Sequence, residues 1–254
     1  AIRKVLAPIP KTAAPIYDFV DELKVRHHVW PVENAAEIEK LFAEKVPVSY
    51  IADGHHRSAS AVRVGSERRA ANPSHHGNEE YNWFLSVIFP ASELKILPYN
   101  RAVKDLNGLS EAEFLKEIRA IFTVTENADP SPKSPRNISM YLGQKWYGLS
   151  WPEVKSSNPV DKLDVSTLQN GVLHPLLGID DPRTNNRIKF IGGIRGPQEL
   201  VRLVDQKGYA VAFSMYPTTV DQLMAIADAG QIMPPKSTWF EPKLRTGLLS
   251  HELD

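Results

Sequence analysis

Short apolar runs alternate with amphipathic, helix-period segments along almost the whole of this 254-residue chain. That interleaving confines it to folds in which helices cover a sheet, because each element must bury one face against another. "AAEIEKLFAEK" (35–45) puts Ile38, Leu41 and Phe42 on one helical face. "LSEAEFLKEIRAIF" (109–122) is a second such helix, with Ser110 as N-cap and Glu113 completing a capping box. "RSASAVRVGSERR" (57–69), "DVSTLQNGVLHPLLGI" (164–179), "GPQELVRLVDQKG" (196–208) and "TVDQLMAIADAG" (219–230) read as further helices, the second ended or kinked by Pro175. "RHHVWPV" (26–32), "PVSYIAD" (47–53), "LKILPYNRAV" (94–103), "RIKFIGG" (187–193) and "YAVAFSMYP" (209–217) read as strands. "YNWFLSVIFP" (81–90) is the strongest strand signal of all. "ISMYLGQKWYGLSW" (138–151) is a hairpin turning at Gly143-Gln144, and "STWFEPKLRTGLLSHEL" (237–253) supplies one or two terminal strands. The expected class is α+β, a mixed α/β chain.

Charge narrows the partners. Thirty basic and thirty acidic side chains balance, which argues against nucleic-acid binding, since phosphate neutralisation needs a basic surplus. No apolar stretch reaches the roughly 20 residues of a membrane span, so a soluble, cytoplasmic protein with no membrane partner is expected. The absence of cysteine removes thiol catalysis, disulfides and thiolate metal sites together. "ENADPSPKSPRN" (126–137) reads as a break between two regions. The stripe Val172, Leu173, Leu176 and Leu177 reads as core or as the subunit contact of a homo-oligomer.

The chemistry concentrates in "SYIADGHHRSASAV" (49–62). An apolar run ends in Asp53-Gly54, and a helix opens at once with His55, His56 and Arg57. Cations at a helix start oppose the dipole by roughly 0.3–1 kcal/mol each. A strand, a glycine turn and a helix start aim free N–H groups at an anion, which would give all three cations a partner. Arg57 offers a planar fork for phosphate or carboxylate, and imidazole can move a proton near neutral pH. Asp53 is an N-cap, a base, or both. Of the three His-His pairs (27–28, 55–56, 75–76), none can chelate one ion from a regular element, because neighbours diverge on a strand or a helix. No metal-ligating residue is therefore assigned. "FIGGIRGPQEL" (190–200) has the wrong spacing for a dinucleotide fingerprint, and Lys236-Ser237 lacks the glycines of a phosphate loop.

"YIADGHHRSASA", with "YDFVDELKVRHHVWPV" and "MPPKSTWFEPKLRTGLL", resembles three ordered segments of the bacterial and archaeal family called domain of unknown function 1015. Members of that family are longer at the N-terminus, so a missing N-terminal region is expected. At greater distance, Asp-Gly-His-His-Arg between a strand and a helix is similar to the nucleotide-binding motif of the ParB/sulfiredoxin superfamily. That superfamily includes nucleotide switches, sulfiredoxins and free-serine kinases. The resemblance implies a ParB/sulfiredoxin-like domain over 21–125, after a lead-in at 1–20, with a C-terminal α/β subdomain over 138–254. It implies that Gly54, Ser58 and the following N–H groups hold phosphate, with Asp53, His55, His56 and Arg57 as catalytic candidates. It extends the pocket to Arg101 as a second anion clamp and to Lys236, Ser237, Thr238 and Lys243. The ligands implied are ADP or ATP with Mg²⁺, and the activity is phosphoryl transfer to a small, serine-like molecule. The cysteine of sulfiredoxins has no counterpart, which excludes that chemistry. A nucleotide-responsive module without turnover and a metal-dependent hydrolase are the alternatives.

Overall fold

A computed structural model describes residues 1–22, 24–241 and 243–253. Leu23, Pro242 and Asp254, which fall in segments read above, lie outside the described residues. The chain divides into two compact units, Ala1–Ile51 and Ala52–Asp254. The class is α+β.

In the first unit, α1 (Ile2–Leu6) and α2 (Ile9–Thr12) precede the hairpin β1 (Tyr17–Val20) and β2 (Arg26–Val29), and α3 (Ala35–Lys45) follows. The hairpin pairs Asp18 with His28 and Phe19 with His27. Asp18 accepts from Arg26 at 2.9 and 2.8 Å and lies 2.8 Å from His28 Nε2. His27 stacks on Phe19 and meets Asp21 at 2.9 Å.

The second unit opens with α4 (His55–Ala71). Then come β3 (Lys95–Leu97), β4 (Tyr99–Val103), α5 (Glu111–Ile121), β5 (Thr123–Glu126), β6 (Asn137–Leu142) and β7 (Lys145–Ser150). They are followed by α6 (Asp164–Leu168), β8 (Ile188–Gly192), α7 (Gly196–Lys207), β9 (Val211–Met215), α8 (Val220–Asp228) and β10 (Trp239–Glu241). Six strands form one antiparallel sheet in the order β5-β7-β6-β9-β4-β8. β10 pairs separately with β3.

Strand alternation assigns the two faces of the large sheet. Ile138, Met140 and Leu142 of β6 and Val211, Phe213 and Met215 of β9 bury against Phe114 and Ile118 of α5, Leu168 of α6 and Ile226 of α8. Ala102, Tyr141 and Ala212 point the other way, onto Leu200 and Leu203 of α7. The proline-rich stretch 126–137 is thus a connection inside one sheet, since β5 pairs β7 and β7 pairs β6. α5 starts as expected, with Ser110 and Glu113 forming a capping box. The helix expected over 164–179 is α6 followed by a π-helical turn at Gln169–Leu173, before Pro175.

Two expected strands do not form. Residues 46–53 carry no strand, and Val48 and Ile51 are exposed. Residues 81–90 are a single 3-10 turn (Glu80–Asn82) and then irregular chain, with Trp83, Phe84, Leu85, Val87 and Ile88 all exposed. A strand needs a ladder partner, and among the described residues neither segment has one.

Asp164 opens α6 with its carboxylate buried and accepting from Arg136 N–H at 3.0 and 3.1 Å. Burial pushes it up to about 6, against the pull of that N–H and of the Arg136 charge. A raised carboxyl means that the folded state holds the extra proton, so its stability falls as pH climbs from about 4 to about 6. Asp164→Asn keeps an acceptor for Arg136 and removes the charge. Urea midpoints at pH 4.5 and 7.5 should therefore show the variant gaining on wild type at the higher pH, by up to about 2–3 kcal/mol. Equal differences at both pH values would contradict the assignment.

Candidate functional site: a cation-rich helix start

α4 begins at a sharp turn. Gly54 holds the N-cap position in the left-handed region, φ 85° and ψ 28°, and no side chain caps the helix. The N–H groups of His55, His56 and Arg57 have no acceptor within the helix. The ladder starts with Ser58 N–H on Gly54 O at 2.9 Å. A Cβ at position 54 would lie 3.0 Å from Arg57 Nη2 and 3.2 Å from Nε. Arg57 therefore folds back over the turn, into space that a glycine leaves free.

Asp53 does not cap α4, contrary to one of the two roles expected for it. Its Oδ2 lies 3.5 Å from Lys243 Nζ, and both side chains are exposed. Lys243 Nζ also lies 5.5 Å from the centre of the Trp239 ring, and Trp239 Nε1 donates to Glu241 at 2.7 Å. The tail runs along the helix, for Arg68 in the last turn of α4 donates to Leu253 O at 3.0 Å. Trp239 carries no local sequence signal of this contact, because the lysine beside it pairs with a residue far away along the chain.

The three His-His pairs separate by their partners. His27 and His28 meet Asp21 and Asp18. His75 lies 3.0 Å from Glu79 and 2.9 Å from the Tyr81 hydroxyl, and His76 lies 3.7 Å from Glu79. Glu79 sits at about 2: partial burial works upward, but the N–H groups of His76 and Gly77 and the charge of His75 outweigh it. His55, His56 and Arg57 are exposed, and among the described residues no acceptor or carboxylate pairs with their side chains. The helix dipole disfavours positive charge at this end.

Arg101 lies elsewhere. It is 4% exposed on β4, with Nη1 donating to Tyr99 O and Nη2 to Lys236 O at 3.1 Å. Lys236 has φ 55° and precedes β10. Its Nζ lies 5.6 Å from the Tyr99 ring centre. The buried Ser237 hydroxyl donates to Pro234 O at 2.6 Å and so closes a turn. Thr238 is half-buried. Two groups result: Asp53, Gly54, Arg57, Ser58 and Lys243 at the start of α4, and Arg101, Lys236 and Ser237 beside β4. The segment from Lys236 to Lys243 links them.

Fold and site together define an α+β protein with a glycine-turned, cation-bearing helix start. The chain belongs to the family described as protein of unknown function (DUF1015), whose model matches residues 1–166. Among solved structures it is similar to a point mutant of free serine kinase in complex with AMP, at 17% identity and TM-score 0.43, over 81% of this chain and 78% of that one. It is also similar to a mutant of free serine kinase in complex with ADP (19%, TM-score 0.42, covering 81% and 78%). A conserved hypothetical protein from Pyrococcus furiosus matches at 14% identity and TM-score 0.36, covering 81% of each chain. No curated protein matches the chain. Among the described residues, no helix is long and apolar enough to cross a membrane.

Proposed function

We propose that this chain is a nucleotide- or phosphate-binding enzyme of the ParB/sulfiredoxin-like kind, a phosphotransferase acting on a small hydroxyl-bearing molecule. One observation carries the reading: the α4 start carries free N–H groups, Arg57 folded over Gly54 and the exposed His55 and His56, and among the described residues no carboxylate pairs with them. A phosphoryl group is the anion whose charge and shape suit that cradle. The resemblance of Asp-Gly-His-His-Arg to a nucleotide-binding motif supports it independently.

In this reading the N–H groups of residues 55–57 and the Arg57 fork bind the transferring phosphoryl group, and Lys243 adds charge from the tail. The acceptor hydroxyl oxygen forms the new bond to phosphorus as the bond to the donor's bridging oxygen breaks. Asp53 or a histidine of the pair takes the hydroxyl proton. Among the described residues no three His, Asp or Glu gather as a metal site. Magnesium keeps most of its shell as water and phosphate oxygens; where a histidine is the base, Asp53 would be its protein contact, and the ion would neutralise phosphate charge there.

Thermal-shift titrations with ADP, ATP, CTP, GTP and phosphoserine, with and without Mg²⁺, test the proposal. At least one phosphate-bearing ligand should raise Tm in a saturable way, and ATP with a hydroxy or amino acid should yield a phosphorylated product. If none stabilises the protein, the reading fails. Tight binding without product would convert it into a nucleotide-responsive module.

A further inference from the structure

We propose a second ligand site, distinct from the α4 start: a cavity of about 440 Å³ walled by Arg101 and the 160–183 segment, which takes the carboxylate end of a small organic acid. Its size falls within the range of small-molecule pockets. Its wall includes Arg101, Phe190, Gln169 and Asn170 but no residue of the 53–58 turn, so the proposal stands whether or not a nucleotide binds there.

The argument turns on an unbalanced charge. Arg101 is almost wholly buried, and among the described residues no carboxylate pairs with it. Its guanidinium is fixed by the carbonyls of Tyr99 and Lys236 and by the Phe190 ring, 5.4 Å from its carbon. Two carbonyls use two of five N–H donors, which leaves three for another acceptor. Burial lowers its pKa to about 9, so it remains charged at neutral pH. Burying a cation without a counter-charge costs several kcal/mol, which a chain tolerates where a ligand brings the anion.

Carboxylates do line the same cavity, yet each is engaged elsewhere. Asp181 is forked to Arg183 at 2.9 and 2.8 Å, Asp161 accepts from Ser156 at 2.7 Å, and Asp180 lies 2.8 Å from His174. These three also select the ligand. A doubly charged phosphate would face all of them, whereas a single carboxylate on Arg101 lets their remaining lone pairs accept from a hydroxyl or amino group on the same molecule. Gln169 is held by its Nε2 on Ile179 O at 2.7 Å, which orients it on the wall.

L-lactate and L-alanine, which differ only in hydroxyl against amino, serve as probes beside inorganic phosphate and a sodium chloride control. Thermal shift and calorimetry on the wild-type chain should show saturable binding of lactate, alanine or both. Arg101→Gln should abolish it. Asn170→Phe, which narrows the cavity from an exposed position without touching the bonds of Arg101, should weaken it at least tenfold and decides the matter if Arg101→Gln does not fold. Phosphate binding at the α4 start should survive Asn170→Phe, which separates this site from the other. No carboxylate binding beyond the chloride control, binding unchanged in Asn170→Phe, or binding by phosphate alone would each overturn the proposal.

Discussion

Replacing Arg57 by alanine is expected to cut the affinity for any stabilising phosphate ligand by about 10- to 100-fold while leaving the Tm of the free protein unchanged. The magnitude follows from the 1.5–3 kcal/mol or so that hydrogen bonds to a charged group contribute. The fold should be indifferent, because Arg57 is exposed and among the described residues no carboxylate pairs with it. Gly54→Val reaches the same end by another route: a β-branched residue at φ 85° is strained, and its Cβ occupies the space of the guanidinium. Lys243→Ala removes an exposed pair with Asp53 and should change stability by less than about 1 kcal/mol. Calorimetric titration of the three variants ranks the contacts. An Arg57→Ala protein that binds as tightly as wild type would remove the α4 start from the site.

Phe213→Ala is expected to destabilise the second unit by about 3–5 kcal/mol, or roughly 10–15 °C in Tm. Phe213 is fully buried in β9, beside Arg101 on one neighbouring strand and Met140 on the other. Trp83→Ala, by contrast, should cost less than about 1 kcal/mol, because Trp83 is 61% exposed. Chemical denaturation of both variants gives the comparison. It is a pointed one, since Trp83 lies in the segment that the sequence alone ranks as the best strand. Equal losses would mean that residues 81–90 are core after all.

That segment shows where local reading ends. Aromatic and β-branched residues in 81–90 fit a pleated surface, but such preference becomes a strand only beside another strand, and none is there among the described residues. The same holds for 47–53, whose apolar run leads to the α4 turn without pairing. Helices fared differently because their signals are local. Ser110 with Glu113, and the 35–45 periodicity, depend on residues within two turns of each other, and both helices form with nearly the expected bounds.

The site divides along the same line. Gly54, followed by two histidines and an arginine at a helix start, was legible from the sequence, since backbone angle, dipole and side-chain charge are all local quantities. What those residues lack was not legible. Only the tertiary structure shows that the other two His-His pairs meet carboxylates while 55–56 meets none among the described residues. Only it turns Asp53 toward Lys243 rather than onto the helix. Arg101 makes the point most sharply: the resemblance names it as an anion clamp, but its burial with no carboxylate partner among the described residues depends on strands and loops far along the chain. The sequence by itself determined where charges and turns sit along the backbone. Which charges are left unpaired was decided by the fold, because pairing depends on what distant segments bring within hydrogen-bond reach.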